Sequence, residues 1–223
     1  MRRLAPLAVA AALAAAGCGA STHGTASVWV TRDRGAQVLL VRKVPAGLTA
    51  MQGLLRVAHV KTRYGGRFVQ AINGIEGSLS GRRDWFYFVN GYEADRGAAE
   101  YVLHPGDVEW WDYRPWGSSP EVKVVVGAFP EPFLHGYDGK RLPALVVSGN
   151  STAARAVAKL LHARVAGNYE QVRDTNILLL GPGTTPRFRV ESEAAPGHSV
   201  VFVFNGDWHS LIAGRYRYRY SVP

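Results

Sequence analysis

The chain has 223 residues, 47% of them hydrophobic and 19% charged, with a formal charge of +9 and a single cysteine. These values exclude a disulfide-stapled miniprotein and a chain too polar to fold, and leave one large or two small globular domains held by hydrophobic cores. The basic excess points to an anionic membrane surface or wall polymer, or to simple solvation, because most of it is dispersed.

In chain order, Arg2 and Arg3 come first, then an apolar run from Leu4 to Ala16, then Gly17 and Cys18. A basic start, a short apolar core and a small-residue exit define a secretory signal over residues 1–17. The run is shorter than the roughly 20 residues needed to span a bilayer. Its Ala15-Ala16-Gly17-Cys18 ending resembles the lipobox of bacterial lipoproteins, although Ala15 stands where that motif favours Leu. The resemblance implies cleavage before Cys18 and diacylglycerylation of its thiol, which gives an extracytoplasmic, membrane-anchored protein. Gly19 to Gly24 completes a short lipidated tether over residues 18–24. With its only thiol lipidated, the mature chain has none left for a disulfide, a thiolate metal ligand or a Cys nucleophile.

Residues 25–116 read as the first domain. Thr25–Thr31 alternates apolar and polar, Asp33-Arg34-Gly35 turns, and Gln37–Val44 follows, which predicts a hairpin. Thr49-Ala50-Met51-Gln52 fits a capping box, and Met51, Leu54, Leu55 and Ala58 form a helical stripe. The expected helix runs from Ala50 to about Lys61. Strands are expected at Phe68–Ile72, Trp85–Val89 and Val108–Tyr113, separated by Asn-Gly and Gly-Asp turns. One helix on a small mixed sheet makes an α+β, β-grasp-like unit.

Gly47-Leu48-Thr49, Tyr64-Gly65-Gly66, Ile72-Asn73-Gly74, Trp85-Phe86-Tyr87-Phe88-Val89-Asn90-Gly91, Gly97-Ala98-Ala99-Glu100-Tyr101 and Gly106-Asp107-Val108-Glu109-Trp110 occur in that order. Over roughly residues 38–116 this resembles the transcobalamin-like C-terminal domain, a family of unknown function common in bacterial surface proteins. The resemblance implies a β-grasp-type fold and a ligand-binding module rather than an enzyme. In transcobalamin itself this unit sits over cobalamin opposite a helical barrel, and this chain is too short to supply such a barrel.

Trp116-Gly117-Ser118-Ser119-Pro120 marks a boundary, and residues 121–223 read as a second small α+β unit of unrecognised family. Strands are expected at Val122–Val126, Leu145–Val147, Ile177–Leu180, Phe188–Val190, Val200–Phe204 and Tyr216–Tyr220. A rigid Pro-rich loop is expected at Phe129–Phe133. Asn150 or Ser151 caps a helix whose stripe is Ala154, Val157, Leu160, Leu161 and Val165.

The aromatic concentration supplies the candidate site. In the expected strands Trp85 and Tyr87 share one face, and Trp110 and Trp111 lie on opposite faces. One face packs on the helix, which leaves aromatics on the other for a ligand or for the second domain to cover. The candidate ligand-binding residues are Trp85, Tyr87, Asn90, Trp110, Trp111, Tyr113 and Trp116, with Asn90-Gly91 equally readable as hairpin chemistry. The seven His show no metal-binding spacing, no nucleophile elbow occurs, and Gly181-Pro182-Gly183-Thr184-Thr185 lacks the Lys of a phosphate cradle. Arg215–Tyr220 alternates Arg with Tyr, which reads as a strand with Tyr inward and Arg solvated, or as a basic stripe for lipid head groups. The resulting expectation is a non-catalytic lipoprotein without metal or resident cofactor, binding no nucleic acid. It captures a small amphipathic ligand, cobalamin-like in the named case, for an uptake transporter; the alternative is a module docking an envelope protein or wall partner through its aromatic face.

Overall fold

The computed structural model describes residues 24–117, 121–169, 172–192 and 194–220. The signal segment and Cys18 lie outside them. Among the described residues no helix is long and apolar enough to cross a membrane.

The first unit opens with the expected hairpin, β1 (Thr25–Arg32) and β2 (Gln37–Pro45). Helix α1 (Ala50–Val57) follows behind its capping box: the Thr49 hydroxyl accepts from the Gln52 amide, and Gln52 Oε1 accepts from the Thr49 amide. The helix ends earlier than expected. Ala58 is already extended, and β3 (Val60–Arg63) pairs antiparallel with β4 (Phe68–Ile72) where the helix was to continue. β-Branched Val60 and Thr62 favour that strand, and the cross-strand bonds outweigh about one more turn of helix. Next come β5 (Ile75–Glu76), β6 (Arg83–Val89), β7 (Tyr92–Glu93) and β8 (Val108–Pro115). The main sheet runs β2-β1-β8-β6-β7, with β8 parallel to β1 and antiparallel to β6; β3-β4-β5 is a separate small sheet. This is the β-grasp-like arrangement: α1 covers one face, and the central strand β8 is buried from Val108 to Arg114.

Residues 122–128 differ from expectation. They form no strand but lie against the first unit: Val124 bridges Tyr92, and Val126–Ala128 makes one 3-10 turn. Val125 and Ala128 pack on Trp29, Phe88 and Trp110, closing the sheet face opposite α1. The Pro-rich loop follows, with Phe129–Pro130 and Glu131–Pro132 both cis.

The second unit contains β9 (Ala144–Val147), α2 (Ser151–Leu161), β10 (Arg164–Ala166), β11 (Asn176–Gly181), β12 (Arg187–Ser192), β13 (Val201–Asn205) and α3 (Trp208–Ile212). Its sheet order is β10-β9-β11-β13-β12, with all neighbours parallel except β12 and β13. Asn150 caps α2 by accepting from the Thr152 and Ala153 amides. Val165, expected on the helix stripe, belongs instead to edge strand β10 and is largely exposed, because the left-handed His162 ends the helix first. The two units keep separate sheets but share one core, in which Tyr92 and Tyr137 adjoin Phe133 and Phe202.

The last described segment joins them. Arg215–Tyr220 is a run of turns, not a strand, yet its alternation holds: Arg215, Arg217 and Arg219 are exposed, while Tyr216 is buried against Phe204. Tyr218 packs edge-on against Trp29 at 4.6 Å, and Tyr220 contacts Trp110 at 5.2 Å. The Tyr218 amide donates to the Gly127 carbonyl, which straps the chain over the first sheet.

Candidate functional site

The seven aromatic and turn residues expected to form a ligand surface are brought together, but mostly as core. Trp111 stacks on Tyr87 at 4.8 Å beneath α1, and Trp85 packs on Tyr113 at 5.3 Å. Trp110, on the other face, has no exposed surface, being covered by residues 125–128 and by Tyr220. Asn90 is also fully buried. Its amide donates to Asp107 Oδ1 (2.7 Å) and to the Gly136 carbonyl (2.9 Å), and its Oδ1 accepts from the Val108 amide. At φ 50°, followed by Gly91 at φ 85°, it builds the hairpin turn, so its side chain is spent on structure. Trp116 is half-buried beneath the Arg82 guanidinium. An exposed aromatic face on β6 and β8 is therefore corrected: two distant segments return to cover it, a long-range event invisible to strand alternation.

Exposed apolar surface instead gathers on the small sheet. Tyr64 is 78% exposed, Leu79 85% and Phe68 40%. They line a cleft of about 330 Å³ with Arg63, Gln70, Gly77, Ser78 and Asp84. The β3–β4 turn positions the first wall: Tyr64 is left-handed, at φ 52°, before Gly65-Gly66, and its ring meets Phe68 edge-on. The second wall is the Gly77–Arg83 loop, closed by reciprocal backbone bonds between Ser78 and Arg83.

Behind the cleft, Trp85 Nε1 donates to the Ile75 carbonyl (2.9 Å) and the Tyr113 hydroxyl to the Glu76 carbonyl (2.9 Å). These two rings do not face the cleft; they hold β5 and so position it. Asp84 sits at the back, its Oδ1 accepting from the Trp85 amide. A Cβ on Gly77 would lie 2.4 Å from that oxygen, so glycine there makes room for the carboxylate. Burial pushes the Asp84 carboxyl above its ordinary range, the Trp85 amide partly opposing it. Arg63 Nε donates to Gln70 Oε1 (2.8 Å), which orders the polar edge. The arrangement offers two apolar walls with a carboxyl, a guanidinium, a hydroxyl and an amide at their edges: equipment for holding a flat molecule with polar edges.

Leu79, lone among Gly77-Ser78-Leu79-Ser80-Gly81, was the one sequence signal for this wall, since a large apolar residue in a Gly/Ser turn has no core to enter locally. Tyr64 carried none beyond preceding two glycines. Among the described residues no cluster of three or more His, Asp or Glu is placed to hold a metal. The His198 carbonyl accepts from the Tyr92 hydroxyl, while His209 stacks on Trp208 and bonds Asp207.

No curated protein matches the chain. Among solved structures, a candidate metal-binding protein from Ruminococcus gnavus aligns over 41% of this chain and 97% of its own, at 15% identity and a TM-score of 0.35. Haptocorrin in complex with Cbi aligns over 40% of this chain and 25% of its own, at 17% identity and a TM-score of 0.33. Residues 47–114 match the model of a domain of unknown function (DUF4430), within the span where the sequence resembles the transcobalamin-like family, and that match contains the whole cleft from Arg63 to Asp84.

Proposed function

We propose that this is a non-catalytic, extracytoplasmic binding protein, anchored through Cys18, that captures a small amphipathic ligand in the cleft between Tyr64 and Asp84. The carrying observation is the convergence of three exposed large apolar side chains on one concave site inside the family-matched segment. Single exposed apolar residues are ordinary; three around one cleft backed by a half-buried carboxyl are a binding surface. A corrinoid, flat and rimmed with amides, is the ligand class to test first, with delivery to an uptake transporter as the role.

The test is calorimetric titration of the soluble form beginning at Ser21 with cyanocobalamin. Saturable heat is expected, with affinity weakened about tenfold by Tyr64→Ala, the equivalent of about 1.4 kcal/mol. A folded protein giving no heat at high micromolar ligand eliminates the corrinoid reading.

One observation favours the docking alternative. Strand β2 is a nine-residue sheet edge with Val38, Leu39 and Val41 exposed, and among the described residues nothing pairs with its outer side. Such an edge accepts a strand from another chain. On that reading, Val41→Lys rather than Tyr64→Ala removes an envelope partner that co-purifies from membranes.

A further inference from the structure

The second unit holds a cavity that the first-unit cleft does not explain. Strands β9, β11 and β13 are adjacent and parallel, so their carboxyl ends share one edge. The chain leaves β9 through α2 to β10 on one side, while β11 lies on the other side and leads, by way of edge strand β12, to β13. Strand order therefore reverses between β9 and β11, and ligands of open parallel sheets bind in the crevice outside the carboxyl ends at such a reversal. A cavity of about 350 Å³ lies there, lined by Ser148, Ala153, Leu180, Pro182, Phe204 and Trp208. That volume suits a small ligand.

Each of the three strands runs into a glycine that borders the cavity: Gly149 after β9, Gly181 ending β11, and Gly206 after β13. Gly206 has φ 140°, a conformation that strains any residue with a side chain, and a Cβ on Gly149 would meet nothing within 4 Å. At Gly149 the missing side chain leaves the backbone open to close approach, whereas at Gly181 it makes room for Asn205 and at Gly206 for Pro186. Leu180, Phe204 and Ala153 make an apolar floor, and half-buried Trp208 makes one wall.

The chemistry of the lining selects the ligand. None of its residues is charged. The start of α2 adjoins the cavity, but Asn150 already occupies the Thr152 and Ala153 amides, so it is poorly equipped to cradle a phosphate. The Gly181-Pro182-Gly183-Thr184-Thr185 loop, which lacks the Lys of a phosphate cradle, borders the same space. We infer that this cavity is a second binding site, for a small uncharged planar heteroaromatic molecule of nucleobase or nucleoside type, stacked on Trp208 with its polar edge toward the Ser148 hydroxyl and the glycine backbone. The inference is independent of the corrinoid reading.

The test uses the mature chain carrying Cys18→Ala, isotope-labelled and titrated separately with adenosine, thymidine and adenosine 5′-monophosphate while amide and indole resonances are followed. Saturable shifts are expected with at least one nucleoside at low millimolar concentration, centred on Gly149, Gly181, Gly206 and the Trp208 indole. Gly149→Leu, which fills open space without backbone strain, is expected to weaken binding about tenfold or more with thermal unfolding unchanged. Tyr64→Ala leaves binding intact. The proposal is overturned if neither nucleoside gives saturable shifts, if the shifts lie elsewhere, if Gly149→Leu folds and still binds, or if the monophosphate binds far more tightly than adenosine, which would make the site an anion cradle.

Discussion

The two units bury different chemistry. The second packs Phe188, Phe202 and Phe204 against Leu178, Val146 and the Ala-Val-Leu face of α2, and its buried polar residues are neutral: Ser148, Thr175, Asn176 and Ser210. The first unit, with the segment that closes it, buries Asp107, Glu109, Asp112, Arg114 and Glu131 among Trp and Tyr rings. Glu109 illustrates the cost. One carboxyl oxygen accepts from Trp111 Nε1 (2.6 Å); the other, buried beneath α1, has no hydrogen-bond partner among the described residues. A Cβ on Gly53 would come within 3.0 Å of it, so α1 carries a helix-weakening glycine there to admit the group. An apolar core is indifferent to pH, whereas a core holding carboxyls ties its stability to proton binding.

The largest expected effect tests whether the shared core makes one folding unit. Phe202→Ala removes a fully buried ring that meets Phe133 and Phe188, and a loss of about 3–5 kcal/mol is expected in chemical denaturation. If the units are coupled through that core, first-unit Trp fluorescence and far-UV dichroism shift together; separate transitions would break the coupling.

Glu109→Gln sharpens the comparison. Burial holds the Glu109 carboxyl well above its ordinary 4.5, with the Trp111 bond only partly opposing. The folded state therefore retains a proton that the unfolded chain releases, so this group's contribution is fully present below about pH 4.5 and fades as pH rises toward its folded value. Glutamine keeps a neutral polar group of the same shape. The variant is expected to unfold at higher temperature than the parent at pH 7 and to lose that advantage near pH 4; an equal effect at both would show that the charge is not the cause.

Thr49→Ala removes the hydroxyl half of the capping box and should cost about 1 kcal/mol. Leu79→Ser sits at the bottom of the scale: with a side chain this exposed, stability should change by no more than about 0.5 kcal/mol, while ligand heat in the first-unit cleft falls. A large stability loss would mean that Leu79 serves packing rather than capture.

Sequence alone determined what depends on neighbours along the chain. The capping box, the Asn90-Gly91 turn, the hairpin and most strands were legible because propensity, periodicity and turn chemistry act over a few residues, and the ordered motifs from Gly47 to Trp110 coincide with the segment that matches the domain of unknown function. Even the Arg-Tyr alternation at the end was read with its Tyr inward and its Arg outward. Only the tertiary structure decided what covers each surface. Trp110 and Phe88 are core because residues 122–128 and Tyr218–Tyr220 fold back over them, and Val60 left the helix because Ile72 offered it a strand partner. Both candidate sites follow the same rule. Each cleft is a gap between segments that meet across the chain, Tyr64 with Leu79 and Gly149 with Trp208, and a gap is a property of packing that no local pattern encodes.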